Sequence, residues 1–301
     1  MRYDVRGKVV LVTGAARGIG AETARRLAAR GARLSLVGME PERLAELAGA
    51  LGAGHVWHEC DVTDQRALER AVAATVEAFD RVDVVLANAG VASNSTVAGT
   101  PVEALVRTIE VNLVGVVRTV SATLPAVTER RGYFLLVASA AALAPLPGLS
   151  AYAASKSGIE QFGNVLRLEV ARDGVDVGVA YPSWIDTDLV RDVRHDLQTF
   201  NAMLRTLPGP LGRVTPVGTC AAALVRAIER RSRKVFIPRT VGPLAAVRQL
   251  LASPLSELVV RRQARRLLPE LEREARALGR PFGASSVGMG RFRDSADGAP
   301  P

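Results

Sequence analysis

Tyr152 and Lys156, in the stretch Ser150-Ala-Tyr-Ala-Ala-Ser-Lys-Ser-Gly158, are residues whose types and spacing could do chemistry. The chain has three lysines, Lys8, Lys156 and Lys234, against 36 arginines, and one of the three stands four residues after a tyrosine. The stretch reads as helix, where residues four apart share a face, so a phenol and an ammonium can lie side by side. A free tyrosine titrates near ~10 and exchanges protons poorly at neutral pH. A neighbouring cation favours the phenolate and lowers that value, and a tyrosine so shifted can act as a general acid or base. Lysine suits the neighbour's task because its ammonium is a compact donor on a flexible stem, whereas arginine offers a rigid fork. Taken alone, Tyr-x-x-x-Lys also marks many solvated helix faces. The pair needs a scaffold that brings it to a reaction centre.

The N-terminus supplies such a scaffold. Lys8-Val-Val-Leu-Val-Thr-Gly14 is a short run of β-branched apolar residues, the pattern of a buried parallel strand. It runs into Gly14-Ala-Ala-Arg-Gly18-Ile-Gly20, and Ala21–Arg30 then reads as helix, with Ala24, Leu27, Ala28 and Gly31 at helical spacing. Strand, glycine turn and helix in that order form a phosphate cradle. The glycines admit a pyrophosphate close to the backbone, and the helix N-terminus offers free N–H groups and a positive dipole end. The spacing is Gly-x-x-x-Gly-x-Gly, not the Gly-x-Gly-x-x-Gly of many dinucleotide folds.

Together these motifs resemble the short-chain dehydrogenase/reductase family, and the resemblance extends over roughly residues 7–238. Thr13-Gly14-Ala-Ala-Arg17-Gly18-Ile19-Gly20 matches the family's Thr-Gly-x-x-x-Gly-x-Gly turn. Asp61-Val62 follows a third strand, His55–Cys60, where the family contacts the adenine ring, and Asn88-Ala89-Gly90 closes a fourth, Val82–Ala87. Asn112 falls where the family has a structural and proton-relay asparagine. Ser139 ends the strand Tyr133–Ala138, thirteen residues before Tyr152, the family's usual interval. Pro182-Ser-Trp-Ile-Asp-Thr187 follows a sixth strand, Val175–Tyr181, and is similar to Pro-Gly-x-x-x-Thr with Ser183 in the glycine's place. The resemblance implies hydride exchange between a nicotinamide and a secondary alcohol or ketone. In it, Tyr152 passes the proton, Ser139 hydrogen-bonds the substrate oxygen, and Lys156 lowers the tyrosine pKa and binds the nicotinamide ribose. Asn112 connects Lys156 to solvent through a water chain. The cofactor contacts so implied are Thr13, Gly14, Arg17, Gly18, Ile19, Gly20, Asp61, Val62, Asn88, Ala89, Gly90, Tyr152, Lys156, Pro182 and Thr187. A non-catalytic dinucleotide sensor or scaffold is the alternative, but such a protein would be expected to have lost Tyr152, Lys156 or Ser139.

Cofactor choice turns on the end of the second strand, Arg33–Gly38. An acidic residue there holds a ribose 2′-OH and repels a 2′-phosphate, and Gly38 stands in its place. Arg17 can pair with a 2′-phosphate, which favours NADP(H), with NAD(H) as the alternative. Glu40, just beyond, at the start of the helix Pro41–Ala50, is the residue that could reverse the choice.

Short Val/Leu/Ile runs alternating with helical patterns of ten to fifteen residues argue for an α/β fold with a doubly wound parallel sheet of Rossmann type. With 301 residues and 48% apolar content, one large core is expected. No run of eighteen uncharged apolar residues is present, so no membrane-spanning segment is expected. Two cysteines are too few for a disulfide framework, and the three histidines share no ligand spacing with them, so no metal site is expected and a cytoplasmic location fits. The segment Asp188 to about Leu211 should cover the pocket. Leu197, Phe200, Met203 or Leu204, and Leu207 fall at helical spacing, either as a lid packing on the core or as the wall of an apolar site. His195 reads as a solvated surface residue.

The net charge of +9 is unevenly placed. Residues 230–280 carry thirteen Arg/Lys and four Glu, and the remainder is balanced at 26 of each sign. The chain thus divides into a catalytic domain at 1–239, a basic amphipathic helical extension at 240–280, and a Gly/Ser/Pro-rich tail at 281–301 that reads as disordered. Pro254–Leu278 reads as one helix with Arg261, Arg262, Arg265 and Arg266 in its middle. It could pack on its own domain or on a second subunit of a homo-oligomer, or lie on an anionic membrane surface at 254–278 as a peripheral anchor. Nucleic acid is not expected, since the helix has no aromatic residue for base stacking. The extension is expected to decide where the protein sits and to stand apart from the catalytic machinery.

Overall fold

The apolar runs form a parallel sheet because, with both faces covered by helices, such strands can be hydrophobic throughout. In the computed structural model, which describes residues 3–286 apart from Asn94, Pro208 and Ala252, the strands are β1 (Val9–Thr13), β2 (Arg33–Gly38), β3 (Val56–Glu59), β4 (Val84–Ala87), β5 (Tyr133–Val137), β6 (Asp176–Pro182), β7 (Ile185–Asp186), β8 (Thr215–Pro216) and β9 (Lys234–Ile237). Among the described residues, seven of them build one parallel sheet in the order β3-β2-β1-β4-β5-β6-β9, and β7 pairs with β8 beside it.

The helices are α1 (Gly18–Ala28), α2 (Pro41–Leu51), α3 (Gln65–Phe79), α4 (Val102–Ile109), α5 (Gly115–Glu129), α6 (Ser150–Glu169), α7 (Asp188–Asp196), α8 (Gln198–Thr206), α9 (Val217–Arg230), α10 (Gly242–Leu251) and α11 (Pro254–Leu278). Strand residues alternate between two cores. On β1, Val10 and Val12 face Leu27 of α1, Leu44 of α2 and Leu224 of α9, whereas Leu11 faces Leu68 of α3, Val120 of α5 and Ile159 of α6. The chain is therefore wound on both sides of the sheet, as the alternating pattern implies.

A π-helical turn, Glu110–Val114, joins α4 to α5 into one 28-residue helix, Val102–Glu129, whose most apolar 18-residue stretch has a mean hydropathy of 1.3. Its length and composition would allow it to cross a membrane, although no uncharged run of that length exists in the sequence. Here it packs on α3, α6 and β4.

Two features position the site. The strand order reverses between β1 and β4, and in an open α/β sheet the crevice at the carboxyl ends beside such a reversal is where ligands bind. The loops after β1, β4, β5 and β6 all reach that edge. The second feature is the extension beyond residue 239, which packs on the domain. Leu268, Leu271 and Leu278 of α11 join Val193, Leu197, Phe200 and Leu204 of α7, α8 and the link between them in a third apolar cluster. Three further contacts fasten it. Glu274 accepts the Thr199 N–H at the start of α8 (3.0 Å), Glu272 accepts the Thr96 hydroxyl (2.6 Å), and Arg248 pairs with Glu160 of α6 (3.1 Å).

The expected tail at 281–301 needs correction in its first part. Phe282 and Ser286 are buried, and Phe282 bridges to Ser93 in the loop after β4. An aromatic side chain amid the Gly/Ser/Pro residues anchors the segment to the core. The rest of that tail, 287–301, lies outside the described residues.

Candidate active site

The glycine turn is shaped by contacts no side chain would allow. Gly14 takes φ +63°, and a Cβ there would stand 2.8 Å from the Ala89 α-carbon; a Cβ on Gly20 would meet the Gly14 carbonyl at 2.2 Å. The turn can therefore lie directly against the loop after β4 and under α1. Thr13 and Asn88 lock it in place. The Thr13 hydroxyl accepts the N–H groups of Asn88 (3.0 Å) and Ala89 (3.2 Å), and the Asn88 amide donates to the carbonyls of Thr13 and Gly14. Arg17 precedes α1 without a side-chain cap, so the first N–H groups of the helix have no capping side chain. Gly18, at φ +57°, faces Thr187 across the cleft, where a Cβ would lie 3.3 Å from the threonine methyl. This cradle fits a dinucleotide pyrophosphate: open backbone, an uncapped helix start and no Cβ in the way.

Of the residues expected to contact a cofactor, Gly14, Arg17, Gly18, Ile19, Asp61, Val62, Asn88, Ala89, Gly90, Tyr152, Lys156, Pro182 and Thr187 line one cavity of about 690 Å³, together with Ser139. Thr13, Gly20 and Asn112 stand behind that wall and shape it. At the end of β2, Arg17 is not simply presented to a ligand. Its Nε lies 3.1 Å from a Glu40 carboxylate oxygen, and Arg43 approaches the other oxygen at 3.5 Å. Asp61 is engaged too. Burial alone would raise its pKa, but the Thr63 N–H (2.9 Å) and the Arg107 guanidinium (2.6 Å) outweigh that and hold its carboxyl below the usual range.

Ser139 lies two residues beyond β5 and caps a short 3₁₀ turn, accepting the Ala141 N–H at 3.1 Å; its hydroxyl lies 3.4 Å from the Pro182 carbonyl, which accepts from it. Tyr152, whose pKa is pushed up by burial and lowered by the neighbouring Ser139 hydroxyl, rises from the first turn of α6. Lys156 follows one turn later, almost fully buried. Its Nζ donates to the Val137 carbonyl at 3.0 Å and lies 5.5 Å from the centre of the Tyr152 ring.

The expected depression of the tyrosine by the lysine is not what this geometry gives. Burial raises the Tyr152 pKa, opposed by the Ser139 hydroxyl, while burial pushes the Lys156 ammonium down to about 8. The lysine is turned toward a backbone carbonyl, and both groups are drawn toward their neutral forms.

Asn112 sits in the π-helical turn. Its amide bonds both ends of Val91 (2.8 and 2.9 Å) and the Ser155 hydroxyl (3.1 Å). It fixes the loop after β4 against α6, and its carbonyl oxygen and the Lys156 ammonium flank Gly90. The amide is thus committed to Val91 and Ser155, one step removed from the lysine it was expected to serve.

Sequence reasoning missed most of the cavity's far wall. Val260, Ala264, Leu267 and Leu271 of α11 line it beside Phe200 and Met203 of α8, so the extension belongs to the pocket and does not stand apart from it. Gly148, in the loop between Ser139 and Tyr152, lies against Leu271, where a Cβ would be 2.9 Å from its methyl. The amphipathic stripe on α11 was the available signal, but a stripe does not say which surface it covers. The covering segment from Asp188 resolves into two helices, broken where Leu197 turns extended, and the stripe over 197–207 falls on the second, where its residues pack together and face the cavity. His195 is exposed and 3.3 Å from Asp196.

The short chain dehydrogenase family matches residues 8–198. Dehydrogenase/reductase SDR family member 7B of Bos taurus is 34% identical over 277 residues, 88% of this chain and 84% of the relative. The 3-oxoacyl-[acyl-carrier-protein] reductase of Bos taurus is 32% identical, covering 74% of this chain and 91% of its own. A crystal structure of a short chain dehydrogenase from Mycobacterium paratuberculosis bound to NAD superposes with a TM-score of 0.70 at 26% identity, over 77% of this chain and 97% of that one. With its fold, its glycine cradle and the greater part of its length accounted for in this way, the chain belongs to the short-chain dehydrogenase family and is an NAD(P)-dependent oxidoreductase.

Proposed function

We propose that the protein exchanges hydride between a nicotinamide cofactor, with NADP(H) preferred, and an apolar secondary alcohol or ketone. The observation that carries the reading is the pairing of Ser139, Tyr152 and Lys156 with an apolar wall of Phe200, Met203, Leu267 and Leu271 around the same cavity. The cavity lies within the usual few-hundred-to-a-thousand Å³ range of small-molecule sites. When bound, the nicotinamide supplies or accepts the hydride. Tyr152 gives or takes the proton at the substrate oxygen, and Ser139 holds that oxygen where charge develops. Lys156 positions the ribose and, when charged, favours the phenolate. Thr13, Asn88 and Asn112 act through the loops they hold.

The NADP(H) preference is supported by the absence of a carboxylate at Gly38 and by Arg17 and Arg43, which converge where Glu40 now lies. A 2′-phosphate displacing the Glu40 carboxylate would meet both guanidiniums. NAD(H) is the second reading, favoured by that same carboxylate. A panel of secondary alcohols and ketones, each run with both cofactors and followed by nicotinamide absorbance, tests substrate class and cofactor together. Turnover of small polar alcohols in preference to apolar ones would overturn the substrate reading.

Exposed apolar residues on α4, α5 and α6, among them Val106, Val117 and Leu168, support a homo-oligomer. Exposed Leu250 and Leu258 beside exposed Arg261, Arg262, Arg265 and Arg266 support a peripheral contact with anionic lipid. Each basic residue near such a surface contributes ~1 kcal/mol, screened by salt. Sedimentation with phosphatidylserine vesicles should show binding that falls as salt rises. Equal recovery with neutral vesicles would contradict it.

A further inference from the structure

Beyond α11 the chain turns at Gly279 (φ +62°) and runs to the cavity wall at Ser285 and Ser286, touching three separate elements on the way. Arg280 pairs with Asp196 at the end of α7 (2.6 Å) and also donates to the Phe282 carbonyl (3.0 Å). Phe282 is buried and bridged to Ser93, next to the loop that closes β4. Gly283 lies against Asp192, whose carboxylate accepts the Ser285 N–H at 2.7 Å. The Ser285 carbonyl in turn accepts a hydrogen bond from Arg17 in the glycine turn. Ser285 and Ser286 share the cavity wall with Gly14, Arg17 and Gly18, so the segment and the phosphate cradle face the same space.

From this we infer that residues 280–286 are a strap that retains the dinucleotide, with Asp192 and Arg17 as its two clasps. The inference rests on the nicotinamide-dinucleotide reading of the cradle but not on the choice between NADP(H) and NAD(H). A ligand in the cradle is enclosed by a segment held at its start by Asp196 of the lid helix α7 and at its far end, on the two sides of Ser285, by Asp192 and by the turn that binds the ligand. Release requires the strap to open, and openings of this kind are local and governed by the few bonds that hold the segment. The Ser285–Asp192 bond is charge-assisted, and bonds of that type shift such an equilibrium by about ten- to a hundredfold. The strap also joins the substrate lid to the cofactor site, since Asp192 and Asp196 both belong to α7.

The test is displacement of bound NADH and NADPH by excess NAD⁺ or NADP⁺, followed by stopped-flow nicotinamide fluorescence on the full chain. Two variants remove the same bond from opposite sides. Ser285→Pro deletes the donor N–H, and Asp192→Ala deletes the acceptor. Each should speed release by about tenfold or more, and the double variant should release no faster than the faster single one, because the partners share one bond. Bound NADH should also slow chymotryptic cleavage after the buried Phe282 of the strap. Unchanged release in both single variants, or effects that multiply in the double variant, would overturn the strap while leaving the cofactor reading intact. Failure of the full chain to bind either dinucleotide would overturn both.

Discussion

The floor and the cover of this cavity meet the same ligands but are built on different constraints. The floor consists of the glycine turn, the loops after β4 and β5, and the first turns of α6. Its geometry is set by positions where a Cβ would collide, at Gly14 and Gly20, and by hydrogen bonds between backbone and short polar side chains, at Thr13, Asn88, Ser139 and Asn112. The cover consists of α8, α11 and residues 280–286, held by an apolar cluster and by charged contacts such as Glu274 to the Thr199 N–H and Arg280 to Asp196. Apolar contact is tolerant of exchange at similar volume, whereas a position that excludes a Cβ tolerates none. The floor is thus suited to a fixed reaction and the cover to a choice of substrate.

The largest expected effect separates the two. Tyr152→Phe should lower turnover by ~100- to 10,000-fold, the usual contribution of general acid–base catalysis, with cofactor affinity little changed. A Phe variant retaining more than about a tenth of the wild-type kcat would remove Tyr152 from the proton-transfer role.

Lys156→Met sharpens the floor's electrostatics. The ammonium is held at about 8 against 10.5 for an exposed lysine. Between those values the unfolded chain binds more protons than the folded one, so this group makes stability rise with pH across that window, and below about 8 its burial cost is present in full. The Met variant should therefore unfold at a higher temperature than the wild type at pH 7 while losing turnover. That advantage should shrink as pH climbs toward 10.5. An advantage independent of pH would show that the buried charge is not its cause.

How legible these features are in the sequence follows the same division. Residues in the glycine turn, Ser139, Tyr152 and Lys156 announce themselves because backbone constraint and proton chemistry each demand particular residue types at set intervals. The strands were readable for a similar reason, with β2 at Arg33–Gly38 as expected and β5 one residue shorter than its apolar run. The helix at Pro254–Leu278 was also readable from its stripe. Its partner was not, since Leu271 meets Phe200 and Gly148 only once the chain has folded, and burial carries no sequence address. The Arg17–Glu40 pair and the strap bond from Arg17 to Ser285 link residues 23 and 268 positions apart, with no periodicity to reveal them. Residues 281–286 look disordered by composition, and a single buried aromatic, Phe282, reverses that.

Arg17 is where floor and cover meet, and its expected effect is smaller. If it reads a 2′-phosphate, Arg17→Ala should raise KM for NADPH by about ten- to a hundredfold more than for NADH, the range of a charge-assisted contact. Equal changes for both cofactors would assign the choice to Glu40, and Glu40→Gln should then shift the preference toward NADPH.

The claim that the floor reacts while the cover selects is tested most directly by kcat/KM along a series of methyl ketones of increasing chain length. Each methylene buried against α8 and α11 contributes ~0.8 kcal/mol, or roughly fourfold. The wild type should therefore gain by about that factor per carbon until the cavity is full, and a Leu267→Ala variant should gain less per carbon while matching the wild type on the shortest ketone. A series flat from the first carbon, or a variant that loses equally on every ketone, would contradict the account.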